Sequence, residues 1–207
     1  MWRLIIFFNA PRRASKAKCG RLPQRTGLVF AILLMALCTE RSQVAFSQVF
    51  MKQEEALRRA FPQAEKIERH TLFLTDEQIA EIQKSARSKV ESKIVVYYRA
   101  TQGGEILGFA CFETMIVRTK PATIMAVIKP DSTLQMVEIL AFHEPRDYLP
   151  APRWLTLFRN RILNEALWPK RDIHHISGAT LSVQAITLAV RRLLATHIVA
   201  VSRELKK

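Results

Sequence analysis

Glycine, proline and cysteine are all scarce in this chain: 6, 9 and 3 among 207 residues. So few glycines and prolines exclude collagen-like and low-complexity chains. No segment recurs at a fixed period, which removes solenoids and propellers. The cysteines (Cys19, Cys38 and Cys111) are odd in number and match no zinc spacing, so neither a disulfide framework nor a zinc fold is supported. The longest apolar run, Gly27 to Cys38, has 12 residues, short of the ~20 that a transmembrane helix needs. Walker loops, dinucleotide fingerprints and a Ser-His-Asp order are missing too.

What is present is a globular balance, 49% hydrophobic and 24% charged, with a formal charge of +14. That charge is uneven. Residues 1–47 hold eight basic side chains against Glu40 alone, a charge of +7, and the other 160 residues also carry +7, from 24 basic and 17 acidic groups. Basic residues ahead of the 12-residue apolar run, and the small pair Ala45 and Ser47 before Gln48, have the form of a secretory leader. The sequence therefore divides into a signal peptide or uncleaved membrane leader, 1–47, and a domain over 48–207. This places the domain outside the cytoplasm, periplasmic or otherwise extracytoplasmic. A nucleic-acid partner is not expected, because half of the charge belongs to the leader.

Within 48–207 the patterns alternate. Lys52–Phe61 is rich in helix formers and stops at Pro62. Thr75, with Gln78 three residues on, opens a capped helix over Asp76–Ala86. Strands are predicted over Ile67–Leu74, Lys93–Thr101, Ile106–Arg118, Ala122–Lys129 and Leu134–Phe142, with the glycine pair Gly103-Gly104 marking a hairpin. From about Ala179 to Val201 the chain reads as an amphipathic helix. Ile186, Val190, Leu193, Ile198 and Val201 fall on one face, and Ser182, Gln184, Thr187, Arg191 and Arg192 mostly on the other. The fold class is α+β, an antiparallel sheet with packed helices. Tyr97, Tyr98, Phe109, Phe112 and Trp154 read as core, Cys111 as a small buried residue, and the five histidines as solvated or loop-structural.

Ser177-Gly178-Ala179-Thr180-Leu181-Ser182 stands at the entrance to the last helix. Gly178 permits backbone angles closed to other residues, Ser177 or Thr180 can cap free N–H groups, and a helix N-terminus suits an anion. This string resembles the flavinylation motif of the FMN-binding domain family, which includes peripheral flavin subunits of the Na⁺-translocating NADH:quinone reductase and the Rnf complex. The resemblance extends loosely over residues 52–197. It implies FMN joined by a phosphoester to Thr180, installed by a flavin transferase, with Ser177, Gly178 and Ala179 shaping the loop and Ser182 within reach of the phosphate. It also implies that His143-Glu144-Pro145 stands for a turn near the flavin ring, and that His174 occupies a position where the motif usually has Asp. The implied function is an exported electron carrier between membrane or extracytoplasmic redox partners, with no side chain required as general acid or base. The second reading, favoured by His174, is an exported assembly module that binds FMN non-covalently or not at all.

Overall fold

The computed structural model describes residues 48–205. The leader assigned to 1–47, with Cys19 and Cys38, lies outside the described residues. The domain is α+β, built on one sheet of six antiparallel strands: β1 (Gln48–Val49), β2 (Lys66–Phe73), β3 (Ile94–Gln102), β4 (Glu105–Ile116), β5 (Pro121–Ile128) and β6 (Leu134–Phe142). The spatial order is β1-β6-β5-β4-β3-β2, a meander from β2 to β6 with the entering strand β1 added beside β6. Gly103 and Gly104, at φ 57° and 83°, close the β3–β4 hairpin with the left-handed backbone that a tight turn requires.

Helices cover both faces, which explains why β5 and the end of β6 are buried almost without interruption. Helix α1 (Gln53–Ala60) and Phe61 pack on one face against Ala100, Ala110, Val127 and Leu140. On the other face lie α2 (Asp76–Ala86), the short α3 (Pro152–Leu155) and α4 (Thr180–Thr196). Thr75 caps α2 with the expected reciprocal box: its hydroxyl accepts from the Gln78 backbone N–H, and Gln78 Oε1 accepts from the Thr75 N–H. The main core joins β3–β6 to α4 through Phe109, Ile124, Ile128, Val183, Ile186 and Val190.

Helix α4 departs from the amphipathic expectation. Ser182, Thr187 and Arg191, read as the polar outer face, are buried, whereas Ile198 is exposed. Each buried polar group has a local acceptor. Ser182 donates to the Tyr148 carbonyl (2.5 Å), Thr187 to the Val183 carbonyl (2.7 Å), and Arg191 to the carbonyls of Ser85, Ala86, Asn164 and Leu167 (2.7–3.0 Å). Burial is tolerated because those bonds replace the lost water. The helix continues as a π-helical turn, His197–Val201. By length and composition Thr180–Glu204 could cross a membrane, but most of its apolar window is buried in this domain. His197 is itself buried rather than solvated. Its Nδ1 lies 3.3 Å from the Ser132 hydroxyl, and burial pushes its pKa down to about 4.

Candidate functional site

Three tethers build the loop ahead of α4. Arg161 and Asp172 form an ion pair at 2.5 Å, the indole Nε1–H of buried Trp154 donates to the His174 carbonyl at 2.8 Å, and the Ala179 N–H donates to the Ile176 carbonyl at 3.0 Å. Gly178 then adopts φ 84°, with open space where a side chain would project. A Cβ would meet no neighbour here; the backbone angle is what calls for glycine.

The N-cap of α4 is Ala179, which offers no side-chain cap. The expectation that Ser177 or Thr180 caps the helix is overturned: Ser177 is exposed and Thr180 is the first helical residue, also exposed. Unlike α2, therefore, α4 leaves its first-turn N–H groups without a side-chain cap among the described residues, at the positive end of a 17-residue helix. An exposed hydroxyl stands among those donors. The two ring nitrogens of His175 are buried and unpartnered among the described residues, two positions before Ser177.

Ser182 lies on the far side of the same turn. It is buried, and its hydroxyl fastens α4 to the Arg146–Tyr148 turn. Glu144 is buried as well. Its Oε1 accepts from the backbone N–H groups of Arg118 (3.2 Å), Thr119 (2.7 Å) and Lys120 (2.8 Å), holding the β4–β5 turn. Burial alone would raise its pKa; the three donors outweigh that and hold it below the usual carboxylate value. His143 is half-buried, with its N–H on the Pro121 carbonyl (3.1 Å). The Arg118 guanidinium sits 4.5 Å over the Tyr148 ring. Glu144, Arg118, Tyr148 and Ser182 thus tie the β4–β5 turn to the start of α4, while Ser177, Gly178 and Thr180 face solvent.

Beside α4 runs a groove of about 660 Å³, bounded by residues 88–92, the start of β3 and the end of β4. That volume falls within the range of small-molecule sites. Its α4 wall is Ala185, Leu188, Arg192, Leu193 and Thr196. Leu181 extends the same line by one turn, at helical spacing, to the neighbour of Thr180. Glu113 on β4 is bonded by Arg192 within the groove, and Arg192 also bonds the Ser88 hydroxyl. Burial raises the Glu113 pKa against the opposing pull of Arg192. Cys111, in the same wall, is buried, and burial lifts its thiol to about 12, which makes it an inert packing residue. Sequence reading passed over this pair. The available signal was an acid inside the apolar strand GFACFETMIV and an arginine on the apolar helix.

An uncapped helix end with an exposed threonine, and a groove that begins about one turn further along the same helix, suit a molecule with a phosphate at one end and an apolar body at the other. In comparisons with known proteins, residues 119–195 match the FMN-binding domain family. That span holds every residue singled out in the motif and in the His143-Glu144 turn. The chain is similar to the crystal structure of Shewanella oneidensis NqrC, at 16% identity and TM-score 0.45, over 70% of this chain and 83% of that one. No curated protein matches it.

Proposed function

We infer that this chain, which carries an FMN-binding domain match over residues 119–195, is an exported electron carrier with FMN esterified to Thr180. The observation behind the reading is the exposed Thr180 hydroxyl at an uncapped helix N-terminus. A threonine ester needs no activated side chain to persist. The phosphodiester keeps one negative charge, which the first-turn N–H groups of α4 are placed to bind. Gly178 lets the loop turn without covering that charge, and Ala179 keeps the loop packed beneath it. Ala185 and Leu188 supply apolar wall for a planar ring, with Leu181 one helical turn before them, and Glu113 and Arg192 supply the fixed charge beside it. When bound, the flavin supplies one- and two-electron transfer; the chain binds, orients and screens it. A flavin transferase outside the cytoplasm would form the Thr180 Oγ–P bond from a flavin dinucleotide, breaking its pyrophosphate so that the nucleoside monophosphate leaves and takes up the hydroxyl proton. Membrane or extracytoplasmic redox proteins would exchange the electrons.

The competing reading is an assembly module without covalent flavin. Its support is that His174 stands exposed at the usual Asp position, while the nearest carboxylate, Asp172, is paired with Arg161. One experiment separates the two: intact mass of the chain exported by a host that co-expresses a flavin transferase, alongside Thr180→Ala. The carrier reading requires a denaturation-resistant yellow species, heavier by one FMN less one water and missing from the variant. Flavin released on denaturation would mean non-covalent binding, and no flavin at all would favour the assembly module.

A further inference from the structure

Nine large hydrophobic side chains are exposed among the described residues, and their distribution is uneven. Val49, Phe50, Phe73, Ile94, Ile116 and Leu181 lie toward one end of the sheet. The pairings Phe73 with Ile94, Ile116 with Pro121, Ala122 with Phe142, and Gln48 with Phe142 mark the same end of all six strands. The first turn of α4 is fastened there through Ser182 and Tyr148. Phe73, Ile94 and Ile116 belong to the sheet face that carries α1. Ile94 is four residues before Tyr98 and Ile116 four after Phe112, and both aromatics pack in the α1 cluster. Helix α1 covers only the opposite half of that face, around Ala100 and Ala110, so these three stand 74%, 53% and 61% exposed.

We propose that this end of the domain docks on the surface of an anionic phospholipid bilayer, with Phe73, Ile94, Ile116 and Leu181 entering the interfacial layer. The occupant follows from how the chain arrives. Its N-terminal 47 residues carry +7 and the apolar run Gly27–Cys38, and they join the sheet at Gln48, at this same end. The nine residues 39–47 reach at most about 30 Å when extended. A bilayer that takes up the apolar run would therefore lie close to this face. Exposed Arg118 and Lys120 lie two and four residues after Ile116, placing cations where phosphate headgroups would meet them. Of the carboxylates nearby, Asp76 is bonded by Lys93 (2.5 Å), leaving exposed Glu77, Glu91 and Asp147. An apolar patch with cations at the edge beside Ile116 is the form of an interfacial membrane site. The inference needs no flavin. If the carrier reading also holds, Thr180 lies on the membrane-facing side.

The test uses the full chain with Cys19→Ser and Cys38→Ser, so that an added cysteine is the reactive one beside buried Cys111. A polarity-sensitive fluorophore is placed at Phe73→Cys, at Ile116→Cys, or at Ile198→Cys beside His197, which contacts the far β5–β6 turn. Phosphatidylglycerol–phosphatidylethanolamine vesicles should raise emission severalfold at positions 73 and 116, with quenching by nitroxide-labelled lipid, and leave 198 unchanged. Comparable responses at all three positions would mean that residues 1–47 alone hold the chain and would overturn the proposal, as would silence at 73 and 116. Emission that rises with protein concentration before vesicles are added would assign the face to a second copy and overturn it. An equal response on pure phosphatidylcholine would overturn the anionic assignment.

Discussion

Replacing Arg191 with methionine tests whether a lone buried cation holds the scaffold beneath the candidate site. Arg191 is 2% exposed and makes no salt bridge among the described residues; its guanidinium donates to four carbonyls and lies 5.0 Å from the Trp168 ring. Two of those carbonyls, Ser85 and Asn164, lie at partly buried bonds and can take water when the arginine is gone. The bonds to Ala86 and Leu167 are fully buried, so these carbonyls would be left dry, at about 1–3 kcal/mol each. Loss of the aromatic contact adds about 0.5–2 kcal/mol, and relief of guanidinium desolvation works the other way. Methionine keeps most of the stem volume, so no large cavity adds to the sum. The expected loss is about 3 kcal/mol in urea unfolding, a large share of the 5–15 kcal/mol typical of a domain. Amide exchange should quicken in residues 164–173. A loss under about 1 kcal/mol, with exchange in 164–173 unchanged, would refute the reasoning, because the bonds would then only balance the cost of burying the charge.

Other expectations can be measured on the same material. His197 has its pKa lowered to about 4 by burial, so between the unfolded value of about 6.5 and that value the unfolded chain takes a proton that the folded chain refuses. Stability is therefore full above about pH 6.5 and falls by up to about 3 kcal/mol toward pH 4; His197→Gln should flatten that part of the unfolding-against-pH profile. Gly108→Ala would bring a Cβ to 3.0 Å from the Ile128 carbonyl oxygen and 3.2 Å from the Phe61 ring, and should cost about 1–3 kcal/mol in urea denaturation. Thr75→Ala removes the capping box of α2 and should cost about 1 kcal/mol in urea denaturation. Glu144→Ala should loosen residues 117–120 in amide exchange more than Glu144→Gln, which keeps an acceptor oxygen for the three N–H groups.

Local signals carried most of the fold. Thr75 and Gln78 set the start of α2, Gly103-Gly104 set the hairpin, and the apolar strand runs fell within a residue or two of their elements. Strand β1 escaped notice because two residues beside β6 have no periodicity to read. The polar face of α4 failed for a physical reason. Helical spacing sorts residues by chemistry, but Ser182, Thr187 and Arg191 are buried against carbonyls distant in sequence or a turn back, and no spacing rule registers them. The same holds at the site. Ser177 to Thr180 could be located from the string itself, whereas the groove arises only when β4 and α4 bring Glu113 against Arg192, 79 positions apart.

A tether at Thr180 would fix one end of a flavin and leave the rest free to sweep solvent, so orientation has to come from elsewhere in the fold. The frame around that residue is held by buried polar contacts. Ser182 grips Tyr148, Trp154 grips His174, and Glu144 closes the turn that carries Arg118. None of these groups is free to move without stranding a buried donor or acceptor. Solvent-facing residues in the loop, Ser177, Gly178 and Thr180, make no competing side-chain bond among the described residues. Rigid support beneath an unengaged hydroxyl is what a modified residue would require, because under the proposed function the loop would have to admit a transferase and afterwards hold its product in one place. Loosening the frame without touching Thr180, as Arg191→Met is expected to do, should therefore leave the yield of modification intact and broaden the flavin absorption band. A sharp, unshifted band in that variant would mean that the groove alone positions the ring.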